Sequence, residues 1–245
     1  MFKRVLPRAG LPVLLLIAAM SGNASAQTPS AEQVQAMQRQ LADWPQLSRY
    51  RDENAALAAP APGERRVVFF GDSITEGWGK TGSETFFPGK PYVNRGISGQ
   101  TTPQMLVRFR QDVIDLKPAV VVILAGTNDI AGNTGPATPQ MIQDNLASMV
   151  QLAKANGIAV VLASVLPASD YPWKTGLQPA PKIRALNDWI RQYTQRTGAV
   201  YLDYYSALDN GQGGLDAKVS GDGVHPNAAG YAAVSYTHLR AHETE

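Results

Sequence analysis

Four short segments of the chain carry side chains whose types suit covalent chemistry. They are Gly71-Asp72-Ser73, Gly96-Ile97-Ser98-Gly99, Gly126-Thr127-Asn128-Asp129 and Asp222-Gly223-Val224-His225-Pro226. A serine hydroxyl attacks poorly unless a base removes its proton during attack and then returns a proton to the leaving group. Histidine suits both steps near neutral pH. Of the three histidines, His238 and His242 fall close to the C-terminus, which leaves His225 as the candidate base for Ser73. Asp222, three residues earlier, can reach the far ring nitrogen, fix the tautomer and stabilise an imidazolium. Each segment by itself also reads as a turn with a helix cap, so the weight lies in their conjunction.

The elements that must position these residues follow from the apolar pattern. Short apolar runs predict strands over 66–70, 92–95, 120–125, 159–164 and 200–203, with helices over 74–77, 102–114, 139–156 and 180–197 between them and a last helix from about Asn227. Pro139 stands where a helix starts and Gly157 where one stops. A run such as Val120-Val-Val-Ile-Leu124 is apolar on both faces, the pattern of a parallel strand covered by helices on each side. The expected fold class is therefore α/β, a three-layer α/β/α sandwich. In such folds ligands bind at the carboxyl ends of the strands, where the four segments fall.

Taken together and in order, the segments resemble the four conserved blocks of the GDSL/SGNH hydrolase family, from about Val67 to Tyr231. Ile74 stands where the motif usually has Leu, a volume-conserving change. The resemblance implies a five-stranded parallel sheet of flavodoxin-like order and a serine esterase that needs no cofactor. It implies Ser73, Asp222 and His225 as catalytic residues, and an oxyanion hole made by the Ser73 and Gly99 backbone N–H groups and the Asn128 side-chain amide. These types suit the task, because donors must be aimed where the carbonyl oxygen becomes negative. Asp72, Asn94 and Asp129 are expected to hold turns and neighbouring groups. Trp78, Phe86 and Phe87 after the nucleophile, and Tyr171, Trp173 and Leu177 in the loop after the fourth strand, are expected to border the pocket; Trp78, Tyr171 and Trp173 are the candidate substrate-binding residues. The expected substrate is a small or carbohydrate-linked acyl ester. A lysophospholipase, an acyltransferase using the same site, and a non-catalytic carbohydrate-binding protein are the rival readings.

Other chemistries find less support. Gly77-Trp-Gly-Lys-Thr-Gly82 satisfies G-x-G-x-x-G but starts too far past its strand, and no acidic residue ends the second strand, against dinucleotide binding. Gly79-Lys80-Thr81 resembles a P-loop end, yet Ile74 occupies the first glycine position. No G-x-S-x-G elbow is present, and one histidine without Cys or His neighbours is no metal-ligand set. With 22 basic and 20 acidic residues, the chain lacks the excess that nucleic-acid backbones attract.

The chain is expected to divide into a signal peptide (1–26), an N-terminal helical extension and linker (27–63), a hydrolase domain (64–233) and a non-native tail (234–245). The leader reading rests on Lys3, Arg4 and Arg8, the apolar run from Leu11 to Met20, and Ala24-Ser25-Ala26 as a cleavage site; that run is too short for a membrane anchor. Export to the periplasm or medium follows, and the absence of cysteine excludes disulfides and a lipid-bearing thiol. The stretch from Val234 resembles a translated sequencing adapter. The sequence does not set an oligomeric state.

Overall fold

The computed structural model describes residues 28–80 and 86–243, without the side chains of residue 40 and of residues 236–243. The expected signal peptide lies outside the described residues. The chain divides into two compact units, 1–40 and 41–245. In the first, helix α1 (Ala31–Ala42) begins at a reciprocal cap, in which Gln33 N donates to Ser30 Oγ and Ser30 N to Gln33 Oε1.

The second unit is built on strands β1 (Val67–Gly71), β2 (Tyr92–Gly96), β3 (Val120–Leu124), β4 (Ala159–Ala163) and β5 (Val200–Leu202). All pair in parallel in the order β2-β1-β3-β4-β5, the flavodoxin-like sheet that the resemblance implied. Register is set by the alternation within each apolar run. Val68, Phe70, Val121, Ile123, Val160 and Leu162 face one way, and Val67, Phe69, Val120, Val122, Val161 and Ala163 the other. The first face is covered by α4 (Thr102–Asp112), α6 (Pro139–Ala155) and α7 (Pro179–Thr197), through Met105, Phe109, Leu146, Met149, Ile183 and Ile190. The opposite face is covered by α3 (Ser73–Glu76), α8 (Tyr204–Leu208) and α9 (Ala228–Glu243), through Ile74, Tyr204, Leu208, Tyr231 and Val234. Each such side chain stabilises the fold by about 1.5–3 kcal/mol when removed from water. Helix α9 continues to Glu243, through the stretch expected to be a foreign tail.

Two short helices have no counterpart in the predicted elements, α5 (Thr127–Ala131) and α8, while α2 (Arg51–Ala56) falls within the expected N-terminal helical extension. Each has at most six residues, too few to show a period or to hold together alone, so tertiary contacts decide them. The segment before β1 is stitched to α4 and the loop before it: Gln104, Gln100 and Gln111 donate to the carbonyls of Trp44, Pro45 and Leu47, each at 2.8 Å, and Asn54 Nδ2 donates to Asp112 Oδ1 at 2.7 Å.

Beneath the carboxyl ends of β1 and β2 lies Arg108, with 0% exposure. Its guanidinium donates to Gly71 O (2.9 Å), Arg95 O (2.9 Å), Gln100 Oε1 (2.5 Å) and Asp112 Oδ2 (3.1 Å), and stands 4.1 Å from the centroid of the Phe70 ring. A buried cation persists only where its donors find acceptors, so this one ties two strand ends and the loop after β2 into one body. Truncating it would leave the buried Asp112 without its cation and take a donor from Gly71 O, Arg95 O and Gln100 Oε1. Arg108→Ala is expected to lower stability by about 3–5 kcal/mol, read as a shifted urea midpoint; an unshifted midpoint would contradict the clamp.

Candidate active site

The nucleophile candidate stands on a turn that only glycine permits. A Cβ at Gly71 would lie 2.0 Å from Thr75 Oγ1, and one at Gly96 would lie 2.1 Å from Glu76 N, so α3 sits directly on the ends of β1 and β2. Asp72 caps this helix, Oδ1 accepting from Ile74 N at 3.0 Å. Asn94 closes the other side, Nδ2 donating to Thr75 O and Oδ1 accepting from Gly96 N. Ser73 Oγ is thereby aimed over the carboxyl edge of the sheet, where β1 and β3 diverge toward opposite neighbours and leave a crevice.

His225 reaches the same point from the loop before α9. Its Nε2 lies 2.9 Å from Ser73 Oγ, and its Nδ1 lies 2.6 Å from Asp222 Oδ2. The other Asp222 oxygen accepts from the backbone N–H of His225 (2.8 Å) and of Val224 (2.9 Å). Partial burial works to raise the Asp222 pKa, but these bonds and the imidazole outweigh it and hold the carboxyl down at about 2. A carboxylate held below its ordinary range stabilises the folded chain above about pH 4 and loses that contribution as the pH falls toward 2. With Asp222 ionised, Nδ1 carries the proton and Nε2 turns its lone pair to the serine. Ser220 Oγ accepts from Gly223 N and lies 2.8 Å from His225 O, which braces the loop.

Ser73, Gly99 and Asn128 line one cleft. Gly99 has φ +75° and open space around its α-carbon, and its N–H, like that of Ser73, has no hydrogen-bond partner among the described residues. Glu76 fixes this loop by accepting from Ser98 N at 2.7 Å. Asn128, in the first turn of α5, lines the cleft. Its Nδ2 donates to Gln100 O (3.0 Å) and Asp72 Oδ2 (3.2 Å), and its Oδ1 accepts from Asn133 Nδ2 (2.7 Å). Burial pushes Asp72 up to about 6, against the pull of the Ile74 N–H and of His225. Asp129 accepts from Thr102 N and Thr102 Oγ1, tying α5 to the start of α4.

The cleft holds about 180 Å³ and is walled by Ser98, Gly99, Asn128, Asn133 and Trp173 around Ser73 and His225. Of the residues expected to border it, only Trp173 does so, 44% exposed with its ring centroid 6.1 Å from that of His225. Trp78 is a correction: at 5% exposure it packs in the core against Phe69, Tyr204 and Tyr231, because the helix carrying Ser73 turns it inward. Phe86 and Phe87 join the same aromatic cluster. Tyr171 is also corrected; fully buried, it is the base on which Trp173 stacks, centroids 5.2 Å apart. Leu177 packs on the core. Asn133 and Glu76 went unnoticed, since a loop asparagine and a helical glutamate carry no signal of whom they bond. Among the described residues no group of three His, Cys, Asp or Glu side chains could hold a metal.

A parallel sheet of this order with serine, imidazole and carboxylate in one hydrogen-bonded file at its carboxyl edge has the form of an acyl-ester hydrolase. The family model for GDSL-like lipases/acylhydrolases matches residues 69–233, and the chain belongs to that family. A GDSL-like lipase from Bacteroides thetaiotaomicron superposes with a TM-score of 0.78 at 46% identity, over 82% of this chain and 98% of that one. The esterase TesA of Pseudomonas aeruginosa is 35% identical over 56% of this chain, and an acetylxylan esterase of Geobacillus stearothermophilus is 26% identical over 71% of this chain and 92% of its own length. The chain spans 62% of TesA and half of the Bacillus subtilis lipoprotein YqeF, 31% identical over 43% of this chain.

Two measurements check the geometry. Asp222→Asn keeps the shape but inverts the hydrogen bond to Nδ1, and kcat for an activated ester is expected to fall by about 10⁴-fold. Trp78→Phe is expected to lower the melting temperature while leaving KM unchanged, whereas Trp173→Ala raises KM; the reverse pattern would put Trp78 back in the pocket.

Proposed function

We propose that the protein is a serine esterase that cleaves carboxylic esters through an acyl-Ser73 intermediate. The observation that carries this reading is the continuous file from Ser73 Oγ through His225 to Asp222, with contacts of 2.9 and 2.6 Å. As Ser73 Oγ attacks the ester carbon, its proton passes to His225 Nε2, and Asp222 stabilises the imidazolium. The carbonyl oxygen becomes an oxyanion held by the Ser73 and Gly99 N–H groups. Asn128 joins them by sharing the hydrogen it directs at Asp72, the longer of its two bonds. Collapse breaks the bond to the alcohol, which leaves with the proton from His225. Water then attacks the acyl carbon as it loses a proton to the same nitrogen; the bond to Ser73 Oγ breaks, that oxygen takes the proton back from His225, and the acid is released.

The cleft favours small acyl groups. Its walls beside the nucleophile are serine, glycine and asparagine, and its volume of about 180 Å³ suits an acetyl or short acyl group. The half-exposed Trp173 ring offers a face on which a sugar can lie, which supports a carbohydrate-linked ester, and the acetylxylan esterase among the relatives points the same way. The apolar groove between α6 and α7, near Ile142 and Leu186, shares no wall with the cleft, so it gives no channel for a long lysophospholipid chain. The leader-like first 26 residues support export. Among the described residues no helix is long and apolar enough to cross a membrane.

Kinetics on p-nitrophenyl esters of graded length test the reading. We expect kcat/KM to be highest for acetate and to fall by about tenfold or more by octanoate. Ser73→Ala is expected to lose essentially all turnover, and an acceptor alcohol to draw little product away from free acid. Equal hydrolysis by wild type and Ser73→Ala would end the proposal.

A further inference from the structure

We propose that Asn133 is a positioning residue for the oxyanion donor: it fixes which way the Asn128 amide points, and it is itself set by the indole of Trp173. The inference rests on the esterase reading of this cleft. The polarity of this pair is set by a group that cannot be turned around. The Trp173 indole nitrogen only donates, and it lies 3.2 Å from Asn133 Oδ1. That end of the Asn133 amide must therefore be its oxygen, so the nitrogen faces Asn128, where it donates to Oδ1 at 2.7 Å. The oxygen of Asn128 is then occupied, and its nitrogen is the end left to donate. From the far side Gln100 O and Asp72 Oδ2, both acceptors, require the same orientation.

Side-chain amides are nearly symmetric in shape, so only hydrogen bonds hold one orientation against the other. A flipped Asn128 would present a carbonyl oxygen to a developing oxyanion, repelling what it should stabilise. The donation from Asn133 also polarises the Asn128 amide, which strengthens its N–H groups as donors at the moment they are shared. The Asn133 backbone N–H donates to Asn128 O at 3.0 Å, so the two residues are joined at the main chain as well, and truncating the side chain leaves the turn closed.

A positioning residue that acts through Asn128 has no effect once Asn128 is gone. The test is a double-mutant cycle on p-nitrophenyl acetate, with melting temperatures to confirm folding. Asn133→Ala is expected to lower kcat by about tenfold with KM within threefold, and Asn128→Ala by about 100-fold. The double variant should be no slower than Asn128→Ala by more than twofold. Asn133→Asp, equal in size but without the N–H donor, should lose at least as much as Asn133→Ala and decides the matter if the alanine variant folds poorly. Losses that multiply in the double variant overturn the inference, as does full kcat in Asn133→Asp. Failure here and failure of the esterase reading stay distinct, because the latter shows as an active Ser73→Ala, whatever happens at position 133.

Discussion

All strands of a parallel sheet end on the same edge, and everything else in this molecule depends on keeping that edge in register. Ser73 follows β1, Gly99 follows β2 and Asn128 follows β3, so three groups distant in sequence arrive side by side because their strands pair in parallel without slip. The Arg108 guanidinium secures the arrangement from beneath by holding Gly71 O, Arg95 O and Gln100 together in a place where water cannot substitute. A shift of one strand by one residue would turn its core side chains to the wrong face and misalign the donors at once.

The site is built by polar groups that restrain one another. Asp72 caps α3, so that Ser73 is held, and also accepts from Asn128. Asp129, the next residue, ties α5 to the beginning of α4. Glu76 secures the Gly99 loop through Ser98 N. Each of these carboxyl groups thus joins two segments of the chain that gather around Ser73. The loop bearing Asp222 and His225 is the part least enclosed, and its bonds are mainly its own.

Much of this was legible in the chain. The five apolar runs gave the strands to within a residue or two, and α4, α6 and α7 showed their period over eleven residues or more. The residue types at the strand ends pointed to an ester hydrolase, the class to which the family match assigns the chain. Side-chain direction was not legible. Trp78 follows the nucleophile by five residues, and nothing in its neighbours shows that the short α3 turns it into the core beneath Tyr231. Tyr171 and Trp173, two residues apart, divide into a buried support and an exposed face, a distinction made by the turn that Asp170 closes through Tyr171 N and Gly176 N. The bond from Asn133 to Asn128 joins two residues of identical type, one in a loop and one in α5, and only coordinates show which atoms meet.

The central claim is that the Ser73 hydroxyl is made nucleophilic by this file. Treating the intact protein with a fluorophosphonate and mapping the adduct by peptide mass spectrometry tests it most directly. The account predicts stoichiometric modification of Ser73 and strongly slowed modification in His225→Ala. Modification of a different residue with loss of activity, or a His225→Ala variant that reacts at the wild-type rate, would contradict it.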